Sequence, residues 1–348
     1  MRNLLSLTYE ELAAELKAMG QPSFRAGQVF TQLHRGAKIA EMYNLPASLR
    51  VWIGERREVC KVERLLTSED GTRKMLFELE DGARVEGVLM RYHHGATMCL
   101  STQVGCRMGC VFCASTIDGC ARNLTCGEME AMLLEAHALL DEGEERIGNL
   151  VLMGSGEPLD NLDEVLKFLR SIHREDGYGM GWRHISLSTC GLLAGLRRFA
   201  VEQCPVTLCI SLHAPDDALR QRLIPAAKAN PLQEILAVCR EYIKATGRRV
   251  IFEYTLIEGI NDAPEQAKAL AKLLRGMQAH VNLIALSPVP ERNLRRPSQN
   301  RVHAFCEALK EAGCSATLRR SLGEEIQGAC GQLRRAAASA EEAIETTR

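Results

Sequence analysis

The spacing of apolar and polar residues changes twice along the chain and divides it into a helical, a β-rich and a mixed part. In residues 1–60 apolar positions recur at helical spacing. Thr8, followed three residues later by Glu11, is a capping-box signal for the start of a helix. We predict a first helix through Leu12, Leu16 and Met19, and two more near 24–34 and 46–59.

Residues 61–94 change to a period of two, which is the pattern of half-buried strands. Glu69-Asp70-Gly71 and Glu80-Asp81-Gly82 are hairpin turn signals between the alternating runs. We therefore predict a small antiparallel linker with strands near 61–67, 72–79 and 83–91.

From residue 95 onward, short apolar runs alternate with helical patterns, which is typical of a parallel sheet with right-handed crossovers. Six such units fall short of the eight in a complete β/α barrel. The predicted fold class is therefore α/β, with a partial (β/α)6 barrel. The strands are expected at 98–102, 149–153, 184–188, 206–212, 250–256 and 281–286, the helices at 126–142, 161–175, 192–203, 230–246, 262–276 and 298–313, and an edge strand at 315–318.

The pattern predicts four segments, which are a helical accessory domain, an antiparallel linker, the partial barrel and a tail that is either a frayed helix or disordered. Their expected bounds are 1–60, 61–94, 95–333 and 334–348. The first segment is mildly basic, which leaves an ordinary solvated surface and a phosphate-contacting, RNA-binding surface both open. The basic residues are Arg25, Arg35, Lys38, Arg50, Arg56, Arg57, Lys61 and Arg64.

Composition narrows the class of protein. Hydrophobic residues make up 46% and charged residues 25% of the 348 positions, as in a soluble globular protein. A net charge of -1 argues neither for nor against a nucleic-acid partner. We expect no signal peptide, no membrane span and no membrane partner. Fourteen cysteines without an export signal indicate metal or redox chemistry in a reducing compartment, hence a cytoplasmic enzyme.

Three cysteines in a CxxxCxxC pattern, Cys106, Cys110 and Cys113, follow the first strand of the predicted barrel. This spacing lets three thiolates bind a [4Fe–4S] cluster and leaves its fourth iron without a protein ligand. An open coordination position is what a catalytic metal site needs. Two alternatives remain open here, namely a zinc knuckle without a local fourth ligand and three buried structural thiols.

Polar motifs stand where the next three apolar strands end, at 154–158, 188–191 and 211–213. Because the chemistry of β/α barrels sits at the C-terminal ends of the strands, these motifs and the cysteines should surround a single mouth. A plain βα turn is the alternative for the first motif, and a satisfied core histidine is the alternative for the last. The candidate ligand contacts are Gly156, Glu157, Ser188, Ser211 and His213.

Two further cysteines stand apart from this motif. Cys99 lies seven residues before Cys106, and Cys330 is flanked by small residues near the C-terminus. A cysteine on a mobile segment can approach a reacting centre and be alkylated, but a free cysteine is more often a small buried hydrophobic residue. Both interpretations stay open from the residues alone.

Taken in order, the motifs of this chain resemble those of the RlmN/Cfr family of radical S-adenosylmethionine (SAM) methyltransferases, which act on an adenine of large-subunit ribosomal RNA. The resemblance extends from the N-terminal helices to about Leu333. The segments that carry it are 24–28, 99–113, 122–125, 153–159, 211–215, 281–284 and 329–333.

The resemblance implies two cofactors, a [4Fe–4S] cluster on the three motif cysteines and SAM on its open iron. The partners implied are ribosomal RNA, transfer RNA as a further candidate, and a flavodoxin-type electron donor. Ser287 stands where the family has an asparagine that contacts SAM. The SAM contacts implied by matching positions are Gly156, Glu157, Ser188, Ser211, Leu212, His213 and Ser287.

The resemblance also implies roles for three catalytic residues. Cys330 would take a methyl group from one SAM, and a radical generated from a second SAM would convert that methyl into a carbon radical that adds to adenine C2 or C8. Cys99 would then release the product by forming a disulfide with Cys330, and Glu86 would be the proton acceptor. Two rivals keep part of this picture, namely another radical SAM enzyme such as a glycyl-radical activase, and a zinc-bound RNA-binding module.

Overall fold

The computed structural model describes residues 3–56, 60–93, 95–140, 146–202 and 204–319, with Gly323 and Leu333. The predictions for Arg57, Cys330 and the tail 334–348 lie outside these residues. The strands described are β1 (Cys60–Thr67), β2 (Arg73–Leu79), β3 (Arg84–Tyr92), β4 (Gly95–Leu100), β5 (Gln103–Gly105), β6 (Cys120–Asn123), β7 (Ile147–Leu152), β8 (Ile185–Thr189), β9 (Thr207–Ser211), β10 (Val250–Leu256), β11 (Ala279–Ala285) and β12 (Ala316–Leu318).

The helices lie close to the predicted bounds, and both predicted capping boxes, at Thr8 and at Thr125, are present. The helices are α1 (Tyr9–Ala18), α2 (Phe24–His34), α3 (Ala47–Gly54), α4 (Cys126–His137), α5 (Leu162–His173), α6 (Leu193–Val201), α7 (Asp217–Leu223), α8 (Leu232–Thr246), α9 (Pro264–Leu273) and α10 (Gln299–Glu311). The short helix α7 was not predicted.

One sheet contains all of these strands except β5 and β6, and from β4 to β12 its strands pair in parallel in chain order. Because neighbouring parallel strands follow one another in chain order, each crossover connection turns in the same direction. This is the winding of a β/α barrel. The predicted α/β fold class is therefore confirmed, and β12 is the edge strand expected at 315–318.

The three antiparallel strands are present, but they extend the main sheet. β3 pairs with β4, and the register places Val88 opposite Cys99. β2 and β1 then continue the same sheet to its other edge. The backbone hydrogen bonds of the linker therefore run directly into the barrel.

Side chains alternate between two environments along the parallel strands, as the pleat requires. Leu187 and Ile210 face outward and join the main hydrophobic core with helix residues such as Phe168. Ser188 and Ser211 face inward and line a cavity. An apolar outer face under the helices and a more polar inner face therefore separate the stabilising core from the candidate site.

The N-terminal helices share this core, and a buried polar cluster ties them to the barrel. His34 of α2 lies with its Nδ1 2.5 Å from Glu130 Oε1 of α4, and Ser171 of α5 donates to Glu130 Oε2 over 2.9 Å. Phe30 stacks on the His34 ring at a centroid distance of 3.8 Å. Burial makes each of these polar contacts costly to break.

Several of the basic residues in the N-terminal segment also have structural partners. Arg25 donates to the Asn44 carbonyl, and Arg35 donates to the carbonyls of Glu175 and Gly177. Arg56 pairs with Glu15. These contacts account for part of the positive charge without a ligand.

Across the described ranges, no helix combines the length and the apolar character needed to cross a bilayer.

We expect Glu130→Leu to lower the free energy of unfolding by about 1–3 kcal/mol, because it removes the carboxylate that pairs with the buried His34 ring and accepts from the half-buried Ser171. Urea unfolding followed by circular dichroism would measure this change. Glu265→Leu, on the exposed surface of α9, is the control and should cost much less. Equal costs for the two variants would contradict a stabilising role for the cluster.

Candidate active site

The cysteine motif lies in a loop that is closed at its base by the β5–β6 hairpin, which was not predicted. Cys106 N–H donates to the Gly119 carbonyl over 2.8 Å. Gly105 has φ +81°, and a Cβ there would lie 2.1 Å from the Gly119 oxygen, so only glycine fits. The hairpin thus holds the ends of the cysteine loop together.

Side-chain and backbone contacts also fix the middle of this loop. Thr116 Oγ1 donates to the Cys110 and Cys113 carbonyls over 3.0 and 2.9 Å. Phe112, the aromatic residue before the last cysteine, packs edge-on against His213 with ring centroids 4.8 Å apart. The aromatic position of the motif therefore connects the cysteine loop to the end of β9.

All three motif cysteines line one cavity of about 240 Å³. Burial raises the pKa of Cys106 to about 12, and Cys113 and Glu157 add to the shift by repulsion. Burial likewise raises the pKa of Cys110 well above its ordinary value. Thiols in this setting become stable thiolates only beside a strong positive charge, such as an iron–sulfur cluster supplies.

Among the described residues, no three His, Cys, Asp or Glu side chains are placed to hold a single metal ion. A zinc knuckle needs four ligands that converge on one ion. Three thiols that share a cavity without such convergence fit a cluster, in which each thiolate binds a different iron. The donor set therefore fits the expected [4Fe–4S] cluster.

The glycine-rich turn after β7 packs against the end of β4. Gly156 has φ +112°, and a Cβ there would lie 2.7 Å from Thr102 Oγ1 and 2.8 Å from Gln103 N. A Cβ on Gly154 would lie 2.6 Å from Ser101 N. Both glycines are thus required by close backbone packing. Gly156 also lines the cavity.

Glu157 is buried in the cavity wall, and two backbone N–H groups fix its carboxylate. Cys190 N donates to Oε2 over 2.7 Å and Leu159 N donates to Oε1 over 3.0 Å. Burial raises the pKa of Glu157, while these hydrogen bonds oppose the shift. The side chains of Thr189 and Cys190 also hydrogen-bond this carboxylate, so it is an acceptor held firmly at the cavity wall.

His213 is buried with its tautomer fixed. Thr255 N–H donates to Nδ1 over 2.9 Å, so the ring proton is on Nε2. The backbone is left-handed at φ 58°, and Asn261 holds its carbonyl with a hydrogen bond of 2.8 Å. Burial, with repulsion from Arg220, lowers the pKa of His213 to about 3. His213 is therefore a neutral side chain in the cavity wall with a single N–H donor.

The other predicted SAM contacts divide into two groups. Ser188 and Ser211 line the cavity, with their hydroxyl oxygens 3.5 Å apart. Leu212 is fully buried in the main core, and its N–H donates to the Glu253 carbonyl. Ser287 is exposed beyond the end of β11. Neither Leu212 nor Ser287 is among the residues that line the cavity.

The predicted catalytic residues Cys99 and Glu86 are both buried, and neither lines the cavity. Cys99 packs with Val88 and Met153, and Met153 also lines the cavity. Glu86 Oε2 lies 3.2 Å from Nζ of Lys74, which is fully buried. Cys330 is outside the described residues, so its relation to these groups stays a prediction.

Glu253 and Arg319 of the cavity wall were not predicted from the sequence, and Cys190 was predicted only as part of the motif 188–191, not as a candidate contact. Burial raises the pKa of Cys190 well above its ordinary value, with added repulsion from Glu157 and Cys110. The signal for Glu253 is a lone carboxylate within the apolar run of β10. Arg319 directly follows the edge strand β12.

Comparisons with known proteins agree with this geometry. The family model described as the radical SAM superfamily matches residues 100–274. Two curated relatives bear the name probable dual-specificity RNA methyltransferase RlmN. The relative from Alkaliphilus oremlandii is 49% identical over 96% of this chain and 97% of its own length. The relative from Symbiobacterium thermophilum is 50% identical over 95% of this chain and 91% of its own length.

The fold also matches a solved structure, that of a radical SAM methyltransferase from Sphaerobacter thermophilus. The TM-score is 0.92 at 42% sequence identity, and the match covers 95% of this chain and 99% of that chain.

Gly156→Ala should lower the free energy of unfolding by about 1–3 kcal/mol, because alanine is strained at this φ and its Cβ meets Gln103. The shift should also displace Glu157 and weaken SAM binding. Thermal unfolding and SAM titration of the reconstituted protein would measure both effects. Gly148→Ala on β7, where a Cβ would have ordinary contacts, is the matched control. Indistinguishable behaviour of the two variants would refute the packing argument.

The buried neutral His213 should make the fold sensitive to acid. Its pKa falls from 6.5 to about 3 on folding, so below pH 6.5 the unfolded chain binds a proton that the folded chain excludes. Stability should therefore fall as the pH drops, by up to about 1.4 kcal/mol per pH unit from this residue.

We expect His213→Gln to reduce this slope of unfolding free energy against pH between pH 6.5 and 4. The solvent-exposed His303→Gln serves as the control and should keep the wild-type slope. Urea titrations at several pH values give the comparison. An unchanged slope in His213→Gln would show that another group governs the acid response.

Proposed function

Because this chain belongs to the RlmN family of the radical SAM superfamily, we propose that it methylates carbon 2 of an adenine in large-subunit ribosomal RNA, with transfer RNA as a second substrate. The name of the curated relatives, dual-specificity RNA methyltransferase, supports RNA as the substrate class. The observation that carries the proposal is the cavity that brings the three motif cysteines together with Glu157, Ser211 and His213.

Radical SAM enzymes use a [4Fe–4S] cluster and SAM, and the cavity has donors suited to both. Cys106, Cys110 and Cys113 would hold the cluster. When bound, the cluster and SAM supply one-electron cleavage of a carbon–sulfur bond, and the protein orients and shields that chemistry. A flavodoxin-type protein is the electron donor that we propose.

The fixed polar groups of the wall would orient SAM. Glu157 would accept from its ammonium group, since two backbone N–H groups already hold the carboxylate in place. His213 would donate from Nε2, because its Nδ1 accepts from Thr255. Ser188 and Ser211 would contact hydroxyl or carboxylate groups. Leu212 and Ser287 do not line the cavity. Leu212 would contact SAM through its backbone, and Ser287 would contact SAM through its hydroxyl group.

A methyl carrier on the protein solves a chemical problem. The adenine carbons are poor nucleophiles, so direct displacement on a sulfonium cannot methylate them. We propose that Cys330 carries the methyl group as a thioether and delivers it to the base. The Cys99 thiolate would then attack the Cys330 sulfur, so that the sulfur–carbon bond to the base breaks and a disulfide forms. The electron pair of that bond and a proton would convert the base-bound methylene into the methyl group of the released product. The burial of Cys99 next to Met153 of the cavity wall supports its place near the reaction.

Glu86 would act as the proton acceptor beside this thiol. β3 pairs with β4 so that Val88 is opposite Cys99, and Ser101 Oγ donates to the Glu86 carbonyl over 2.7 Å. Lys74 orients the Glu86 carboxylate through the buried ion pair. The extension of the sheet by β2 and β3 thus contributes groups to the reaction as well as to the fold.

The target base must leave its stack to enter a cavity of this size. We propose that the helical segment 1–60 contacts the RNA, and that splayed bases and RNA shape guide recognition. The basic residues of this segment that have no structural role within the protein would contact RNA phosphates.

The test is methylation of a ribosomal RNA fragment and of transfer RNA by anaerobically reconstituted enzyme, with the nucleosides analysed by mass spectrometry. We expect 2-methyladenosine as the product. Cys330→Ala should abolish the product, because it removes the methyl carrier. Cys99→Ala should instead accumulate an RNA–protein adduct. Cys314→Ala, at a half-buried cysteine outside the cavity, is the matched control and should keep its activity.

Formation of 8-methyladenosine would contradict the C2 assignment and support the alternative regiochemistry. Full activity of Cys330→Ala would contradict the methyl-carrier mechanism and favour another radical SAM reaction. Peptide mapping gives an independent check, since Cys330 should be isolated partly methylated.

A further inference from the structure

Glu253 lies on β10, the third strand from the β12 edge of the sheet, with its side chain on the inner face. In the parallel register it is opposite Ser211 of β9 on one side and Asn282 of β11 on the other. Glu253 is 4% exposed and lines the same cavity as the three motif cysteines. A carboxylate in this row is directed at whatever fills the cavity.

A chain of hydrogen bonds fixes one oxygen of this carboxylate. Asn282 Nδ2 donates to Glu253 Oε1 over 3.1 Å, and Thr317 Oγ1 donates to Asn282 Oδ1 over 3.1 Å. His280 Nε2 lies 2.9 Å from the same Thr317 hydroxyl. Since Thr317 occupies the amide oxygen of Asn282, the amide nitrogen must face Glu253.

The other oxygen, Oε2 of Glu253, is buried and has no hydrogen-bond partner among the residues that the structure describes. A buried carboxylate oxygen without a donor is costly, and native proteins rarely leave one unless it has a function. Burial raises the pKa of Glu253, although attraction to Arg319 and the Asn282 hydrogen bond oppose the shift. The position thus favours a ligand that brings an N–H or O–H donor.

The contacts of Arg319 indicate which part of the cavity Glu253 occupies. The Arg319 guanidinium contacts the Met153 sulfur over 3.9 Å, and Met153 packs against Cys99. Its charge also interacts with the carboxylate of Glu253. Arg319 and Met153 therefore link Glu253 to Cys99, the thiol that the proposed function assigns to release of the methylated base. This places Glu253 on the side of the cavity where the base would react.

We propose that Glu253 is a specificity-determining residue whose Oε2 accepts a hydrogen bond from the exocyclic amino group of the target adenine. The inference rests on the proposed function and adds the carboxylate that would distinguish adenine from other bases. Guanine and uracil present a carbonyl oxygen at the equivalent edge, and a carboxylate would repel it. SAM also carries an adenine amino group, so the experiment must distinguish the two sources.

The test compares two RNA substrates of the reconstituted holoenzyme, one with adenosine at the target position and one with purine riboside, which lacks the amino group. We expect the wild type to prefer the adenosine RNA in kcat/KM and in RNA affinity. Glu253→Gln should lower kcat/KM on the adenosine RNA by about 10- to 100-fold, since it loses a hydrogen bond to a carboxylate. It should change kcat/KM on the purine RNA by less than about threefold.

The matched control is Glu130→Gln, at a buried glutamate of α4 that contacts His34 and does not line the cavity. It should retain the wild-type ratio between the two RNAs. That ratio is independent of how much protein is folded, so it remains informative if a variant is unstable. Asn282→Ala, which frees Oε1 while leaving the carboxylate, should weaken the preference partially.

A second readout separates the target base from SAM. The affinity of SAM for the cluster-loaded protein can be measured from the change in the electron paramagnetic resonance signal of the cluster. This affinity should be the same in Glu253→Gln and in the wild type. Weakened SAM binding, or an equal loss of activity on both RNAs, would overturn the assignment. If the wild type methylates neither RNA, the proposed function fails as well. If it methylates both equally, only the present inference fails.

Discussion

The cost of burying negative charge governs this site. The three motif thiols, the Cys190 thiol and the carboxyl groups of Glu157 and Glu253 line one cavity. Burial is the largest cause of the raised pKa of each of these groups for which a shift is seen. The protein offsets part of this cost with backbone N–H donors to Glu157, with Asn282 beside Glu253, and with Arg319. The remaining negative charge favours cationic ligands, and both an iron–sulfur cluster and a sulfonium have that character. The same constraint explains why the cavity must be shielded by a well-packed wall.

The fold could be predicted well because two signals were strong. Apolar runs at the parallel strands and two capping boxes fixed the main elements, and polar motifs after successive strands predicted a shared mouth, which Ser188, Ser211 and His213 do line. The hairpin β5–β6 was missed because its strands are only three and four residues long and largely polar. Helix α7 was missed because seven residues carry too little periodicity to be distinguished from a loop.

Residues whose role depends on pairing across strands could not be predicted. Glu253 acquires its environment from Ser211 and Asn282, which are distant in sequence and meet it only through the register of the sheet. The Lys74–Glu86 pair likewise depends on how β2 and β3 continue the barrel sheet. Alternation along one strand shows on which side of the sheet a side chain lies. It does not show which residues of the neighbouring strands lie opposite that side chain. The domain boundaries proposed from the sequence have the same weakness, since the N-terminal helices and the barrel share one core.

The cysteine loop closed by β5 and β6 has a consequence for maturation of the protein. Its contacts with Gly119 and with the Thr116 hydroxyl are hydrogen bonds within the polypeptide, so protein groups constrain the loop in addition to any bound metal. In small zinc domains, by contrast, metal binding and folding are one event. We therefore expect that after oxidative loss of the inorganic core these hydrogen bonds preserve part of the shape of the emptied site.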